Sequence, residues 1–158
     1  MDTNQHLFMA RLKISKEWWS APTEAENGRL IIVTGRSDLD NVRLTGKYIY
    51  RVEVTWRYEP DEKGMPNFDT YRLMGTVNDL LQDTFDRDPT AVCTGIYTGD
   101  GQRDWVFYCR SLHIFQRKFN EALANVSEYL PLTFRAEEDP EWAEYDEMSQ
   151  NQILDDES

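Results

Sequence analysis

The stretch Thr94 to Arg110, TGIYTGDGQRDWVFYCR, constrains the fold more than any other part of the chain. Ile96 and Tyr97 on one side, and Trp105, Val106, Phe107 and Tyr108 on the other, flank a Gly-Asp-Gly turn with no spare residues between them. β-Branched and aromatic side chains fit a pleated surface, and Asp100-Gly101 supplies the positive φ that short hairpin loops need. The segment predicts a tight β-hairpin. Residues two apart share a strand face, so Trp105 and Phe107 are expected together on its buried side.

Lys47 to Tyr58, KYIYRVEVTWRY, alternates just as regularly. Tyr48, Tyr50, Val52, Val54, Trp56 and Tyr58 share one face, and Ile49, Arg51, Glu53, Thr55 and Arg57 the other, which is the pattern of a half-buried antiparallel strand. A charged, Gly- and Pro-bearing loop follows, Glu59 to Asn67. Leu73, Val77, Leu80 and Leu81 then recur at helical spacing and predict an amphipathic helix from about Asp69 to Asp86. Phe115, Phe119, Leu123 and Val126 predict a second one over Leu112 to Val126, and Pro131 to Phe134 a final short strand. Upstream, Arg29 to Thr34 reads as a buried strand, and Ser37 as the cap of a short helix ending near Leu44.

From Lys47 the order is strand, helix, strand, strand, helix, strand. The expected class is therefore α+β, a ferredoxin-like split βαβ (βαββαβ) antiparallel sheet with helices on one face, preceded by an N-terminal strand and short helix. Its other face is then solvated, covered by the Trp18-Trp19 segment, or buried in a homodimer.

A chain of 158 residues with 40% hydrophobic content suits one domain. The expected boundaries are a flexible N-terminus at 1–12, a single α+β domain at 13–148 and an acidic disordered tail at 149–158. Of the 29 acids, ten fall from Glu137 onward, where there is no Lys or Arg, so the net charge of −12 is concentrated there and the body is close to neutral. That body lacks the clustered positive surface that backbone phosphates demand, so neither nucleic acid nor an anionic membrane is an expected partner. No apolar run approaches the roughly 18 residues that span a bilayer, and the start lacks a signal peptide's pattern, so a cytoplasmic location is expected. Cys93 and Cys109, on opposite hairpin arms, read as two small buried thiols.

The segments WWSAPTE, GRLIIVTGR, RVEVTW, TGIYTGDGQRDWVFY, IFQRKFNEAL and EEDPEWAEYDEM, in this order, resemble a bacterial family known as a domain of unknown function, DUF695. The resemblance covers about Lys13 to Met148. Relatives of that domain occur joined to a module that looks like the regulator of ribonuclease activity B, a small acidic ferredoxin-like protein that inhibits an endoribonuclease by binding it. The resemblance implies a ferredoxin-like fold and a regulatory association; it brings no catalytic residue with it.

The sequence carries no Walker loop, no Gly-x-Ser-x-Gly elbow and no His-Glu-x-x-His pair, and its two histidines, His6 and His113, stand apart from both cysteines. No cofactor and no metal is expected. Arg51, Glu53, Arg57, Arg103, Asp104 and Arg110 alternate with aromatics on strands of one sheet. Solvated polar residues are the ordinary content of such a face. The candidate recognition patch is Arg51, Glu53, Tyr97, Arg103, Asp104 and Trp105, at the base of the hairpin, and the expected role is a non-catalytic regulatory or protein-interaction module. The alternative is a small-ligand binder or enzyme with its pocket between the sheet and the Trp18-Trp19 segment.

Overall fold

Asp100 and Gly101 take φ angles of 50° and 86° and turn the chain back on itself between β4 (Ala91–Gly99) and β5 (Gln102–Cys109). Two consecutive positive φ values match the right-handed twist of the strands they join. The computed structural model describes residues 12–157, with side chains through residue 152. Around the hairpin it places β1 (Trp18–Glu24), β2 (Leu30–Arg36), α1 (Asp40–Arg43), β3 (Tyr50–Arg57), α2 (Phe68–Arg87), α3 (Leu112–Ala122), β6 (Leu132–Glu138) and α4 (Ala143–Glu157). The strands form one antiparallel sheet in the order β1-β2-β4-β5-β3-β6.

Helices α2 and α3 lie on the same face, as their apolar stripes predict. Met74, Val77, Leu81 and Phe85 of α2, with Phe115 and Phe119 of α3, pack on Val52, Val54, Trp56, Trp105 and Phe107. The rings of Phe85, Phe107 and Phe115 meet with centroids 5.1 to 5.4 Å apart. Trp105 is fully buried, its indole N–H donating to Asn78 Oδ1 at 3.0 Å, and both cysteines lie in the same core as free thiols. Burial pushes Cys93 up to about 11 and Cys109 up to about 12.

Three expectations fail. The six-strand order is not that of a four-stranded ferredoxin-like sheet, because the β1–β2 hairpin joins the same sheet beyond β4. β1 contains Pro22, which reads as a break, yet as an edge strand it has no second neighbour to receive the missing N–H. The helices are not confined to one face either. A second core of Leu39, Val42, Tyr48, Val92, Val106, Tyr108 and Trp142 forms on the opposite side under α1 and α4. Finally, α4 runs across the expected boundary at residue 149, and Trp142 and Met148 are each 1% exposed. The expected flexible segment 1–12 lies outside the described residues except for Leu12, which packs on the second core.

Close packing of Trp19 from β1 and Met148 from α4 uses two glycines that face each other across β2 and β4. Gly35 pairs with Gly95. A Cβ on Gly35 would stand 2.2 Å from the Trp19 ring, and one on Gly95 would stand 2.3 Å from Met148 Sδ. Their bare backbones give the indole and the thioether room to lie against the sheet.

A bulge between Cys93 and Gly95 sets which face each β4 side chain occupies. Ala91 and Cys93 join the α2–α3 core and Val92 the second; past the extra residue, Ile96 joins the first and Tyr97 the second. One inserted residue reverses the alternation.

Candidate functional site

Alternation along β5 sends Arg103 to the α2–α3 face and Asp104 to the other, so the patch expected from sequence is divided by the sheet. On the α2–α3 face, Arg103 Cζ stands 5.6 Å from the ring centroids of both Tyr71 and Trp105, and its Nε donates to Thr98 Oγ1 at 2.9 Å. Burial pulls the Arg103 guanidinium below its usual value, opposed only by the phenols of Tyr71 and Tyr58. Among the described residues no carboxylate comes within 4.0 Å of it. This is a charge held between two aromatic faces without a counter-ion.

The surface around it comes from the first turn of α2. Asn67 caps the helix by accepting from the Thr70 N–H at 2.8 Å, which places Phe68 and Tyr71 on the outside. They are 73% and 57% exposed, and Arg72 stacks over Phe68 with Cζ 5.8 Å from the ring centroid. The loop before the helix is tied to the hairpin turn: the Gly101 N–H donates to Gly64 O at 3.0 Å and the Tyr58 hydroxyl to the same oxygen at 2.7 Å.

The opposite face gathers Arg51, Glu53, Asp104 and Tyr97 with two residues that sequence reasoning missed, Asp139 and Glu144. Arg51 donates to Glu53 at 3.0 Å and to Asp139 at 2.8 Å, and it pairs with Glu137 at 3.3 Å. Asp139 also accepts from the Tyr108 hydroxyl at 2.7 Å and from the Ala143 N–H at 2.9 Å, so it holds the first turn of α4 to the sheet. Burial pushes the Asp139 carboxyl up, but the hydrogen bonds from Tyr108, the Ala143 and Glu144 N–H groups and Arg51 outweigh it and hold it below the usual carboxylate range. Glu144 goes the other way. Burial raises its carboxyl, Tyr97 donates to Oε2 at 2.5 Å, and Oε1 is buried without a partner.

Asp104 accepts from Thr55 at 2.5 Å and from Gln102 at 2.9 Å, and Tyr97 and Asp104 line a shallow cleft of about 350 Å³ with Thr23, Ile31 and Gly99. Trp18 and Trp19 belong to β1 itself, and the Trp19 ring lies on Gly35. That segment is therefore a strand of the sheet rather than the cover over it that the expected pocket required. Trp105 is buried together with Phe107 on the face of β5 that lies under α2, as the alternation predicts, so its ring backs the patch from within the core. Of the expected patch, Arg103 stays beside exposed aromatics, and Arg51, Glu53, Tyr97 and Asp104 share the other face. Phe68 and Tyr71 were missed because an apolar stripe explains a helix without them. Asp139 and Glu144 sat in an acidic run that reads as a tail; the Pro140 and Trp142 beside them were the available signal.

Among the described residues, no group of three or more His, Cys, Asp or Glu has metal-holding geometry, and no helix is long and apolar enough to cross a membrane. With fold and geometry in place, the sheet, its two cores and the connecting helices define an α+β protein. The chain belongs to the Family of unknown function (DUF695), whose model matches residues 17–148. No curated protein and no solved structure gives a significant match.

Proposed function

We propose that the chain is a non-catalytic protein-binding module whose contact surface is the aromatic and guanidinium patch of Phe68, Tyr71, Arg72 and Arg103. The observation that carries this reading is Arg103, a partly desolvated cation without a carboxylate partner, set beside exposed rings. Arginine and aromatic side chains dominate the energetics of protein contacts, and a desolvated guanidinium gains most from a carboxylate brought by the partner. The partner segment that fits is acidic with an apolar side chain beside the acid. Two reduced, buried thiols suit a cytoplasmic setting. The sub-order β4-β5-β3-β6, with β5 between β3 and β4, supports relating this half of the sheet to ferredoxin-like regulators, with β1–β2 as an addition.

Replacing Tyr71 with a photo-crosslinking phenylalanine and irradiating living cells tests the reading. A single defined adduct is expected, lost when Arg103→Ala is added to the same chain while the circular-dichroism melt shows the fold retained. An adduct no different from that of the same probe at exposed Arg117 on α3, or one indifferent to Arg103, refutes it. The cleft at Tyr97 and Asp104 favours a second reading, a small polar ligand held beside the hydrogen-bonded pair of Tyr97 and Glu144. Under that reading Tyr97→Phe abolishes binding and Arg103→Ala leaves it unchanged.

A further inference from the structure

β6 is an edge strand, and six of its seven residues are exposed. An edge presents a row of unpaired N–H and C=O groups, and proteins usually blunt it. β1, at the other edge, carries Pro22; β6 has Pro131 and Pro140 only outside its ends. The direction of its free groups follows from one bond. The Asp139 N–H donates to Ile49 O at 2.8 Å, one step beyond the Tyr50–Glu138 pair, so odd-numbered residues of β6 face β3. Alternation then turns the N–H and C=O groups of Phe134, Ala136 and Glu138 outward.

We infer that this edge pairs with itself: two copies of the chain join antiparallel along β6 about a twofold axis at Ala136, extending each six-stranded sheet into the other. In this register the outward groups of Ala136 meet those of the partner's Ala136, and those of Phe134 meet those of the partner's Glu138. Arg135 and the partner's Glu137 then fall opposite each other at the non-hydrogen-bonded sites, where side chains approach most closely. The two residues already meet within one strand at 2.9 Å, on the face that also carries Arg51, so they point the same way from the sheet.

Neighbouring registers are worse for stated reasons. An axis at Arg135 sets two guanidiniums face to face, and one at Glu137 sets two carboxylates face to face. An axis at Glu138 puts acids against acids, and one at Phe134 calls on the Leu132 N–H, which is already given to Leu130 O at 2.8 Å. Axes between residues oppose an outward-facing group with an inward-facing one. Charge and hydrogen-bond direction therefore select a single arrangement, with a second copy of this chain as its occupant.

Sedimentation equilibrium of the full chain tests it. A reversible dimer is expected. Arg135→Glu alone should weaken it about tenfold or more, since two opposed pairs become repulsive, and adding Glu137→Arg to that variant should restore it. Ala136→Pro should abolish the dimer and leave the monomer's melting curve in place, because the N–H it removes faces away from β3. A wild-type chain that stays monomeric overturns the inference. So does a dimer indifferent to Ala136→Pro and to the charge exchange, which would place the contact on another surface, or an edge that pairs only with a foreign strand.

Discussion

Trp142→Ala tests whether the acidic end of the chain is a structural element or an appendage. The Trp142 side chain is 1% exposed, its ring stacks on Tyr108 with centroids 4.4 Å apart, and its indole N–H donates to Tyr48 O at 2.8 Å. Removing a buried Trp costs about 3–5 kcal/mol through lost transfer energy and the cavity left behind. The stacked pair and the Tyr48 carbonyl left without its donor keep the expectation at the upper end, about 4–5 kcal/mol. Typical domains have only about 5–15 kcal/mol in total, and for a chain of this size the loss corresponds to a fall in Tm of about 10 °C or more. Urea unfolding followed by far-UV circular dichroism measures it independently of the missing fluorophore. The solvent-facing pair of Arg43 on α1 and Asp146 on α4 provides the contrast: Arg43→Ala should cost about 1 kcal/mol or less. If Trp142→Ala were as mild as Arg43→Ala, α4 would be a loosely attached tail and the second core would not hold the fold.

Two further outcomes follow from the opposite face of the sheet. Glu144 has its pKa raised by burial, so the folded state binds its proton more tightly than the unfolded one, and stability falls as pH rises through that window. Glu144→Gln keeps an acceptor for Tyr97 and should raise the urea midpoint at pH 7, the gain shrinking toward about pH 4; an unchanged difference across that range would contradict the raised pKa. Gly35→Ala drives a methyl into the Trp19 ring and should cost about 1–3 kcal/mol, most of it recovered in a Trp19→Ala background. Additive losses in the thermal melts of the two single and the double variants would show that the ring does not define the site.

Sequence patterning carried the regular parts of the fold. The β4–β5 hairpin, the β3 alternation and helices α2 and α3 were legible because each buries one face and repeats one period; α3 stops at Ala122 rather than Val126, and β6 extends beyond Phe134 to Glu138. β1 was obscured because Pro22 and two adjacent Trp residues break the alternation that a strand usually shows. The second core was hidden because its key residues, Tyr48, Val92, Tyr108 and Trp142, come from four separate places in the chain, and charge alone makes Glu137 to Glu147 look detached. Arg103 was visible as a candidate, but its lack of a counter-ion is a property of three dimensions: neighbouring Asp104 points through the sheet to the other side.

The bulge at Thr94 has a bearing on how this chain and its relatives should be aligned. It works as a change of reading frame within β4: before it odd-numbered residues belong to the α2–α3 core, and after it even-numbered ones do. A relative lacking this one residue would alternate without a break and keep its counterparts of Ile96 and Tyr97 on the faces they occupy here, whereas one of equal length without the bulge would turn Tyr97 to the helices and Ile96 to α4. Gaps placed here by letter matching alone therefore change which positions are compared as buried, and the hydrophobicity of the Ile96 column, rather than identity around Gly95, is the guide to where the gap belongs.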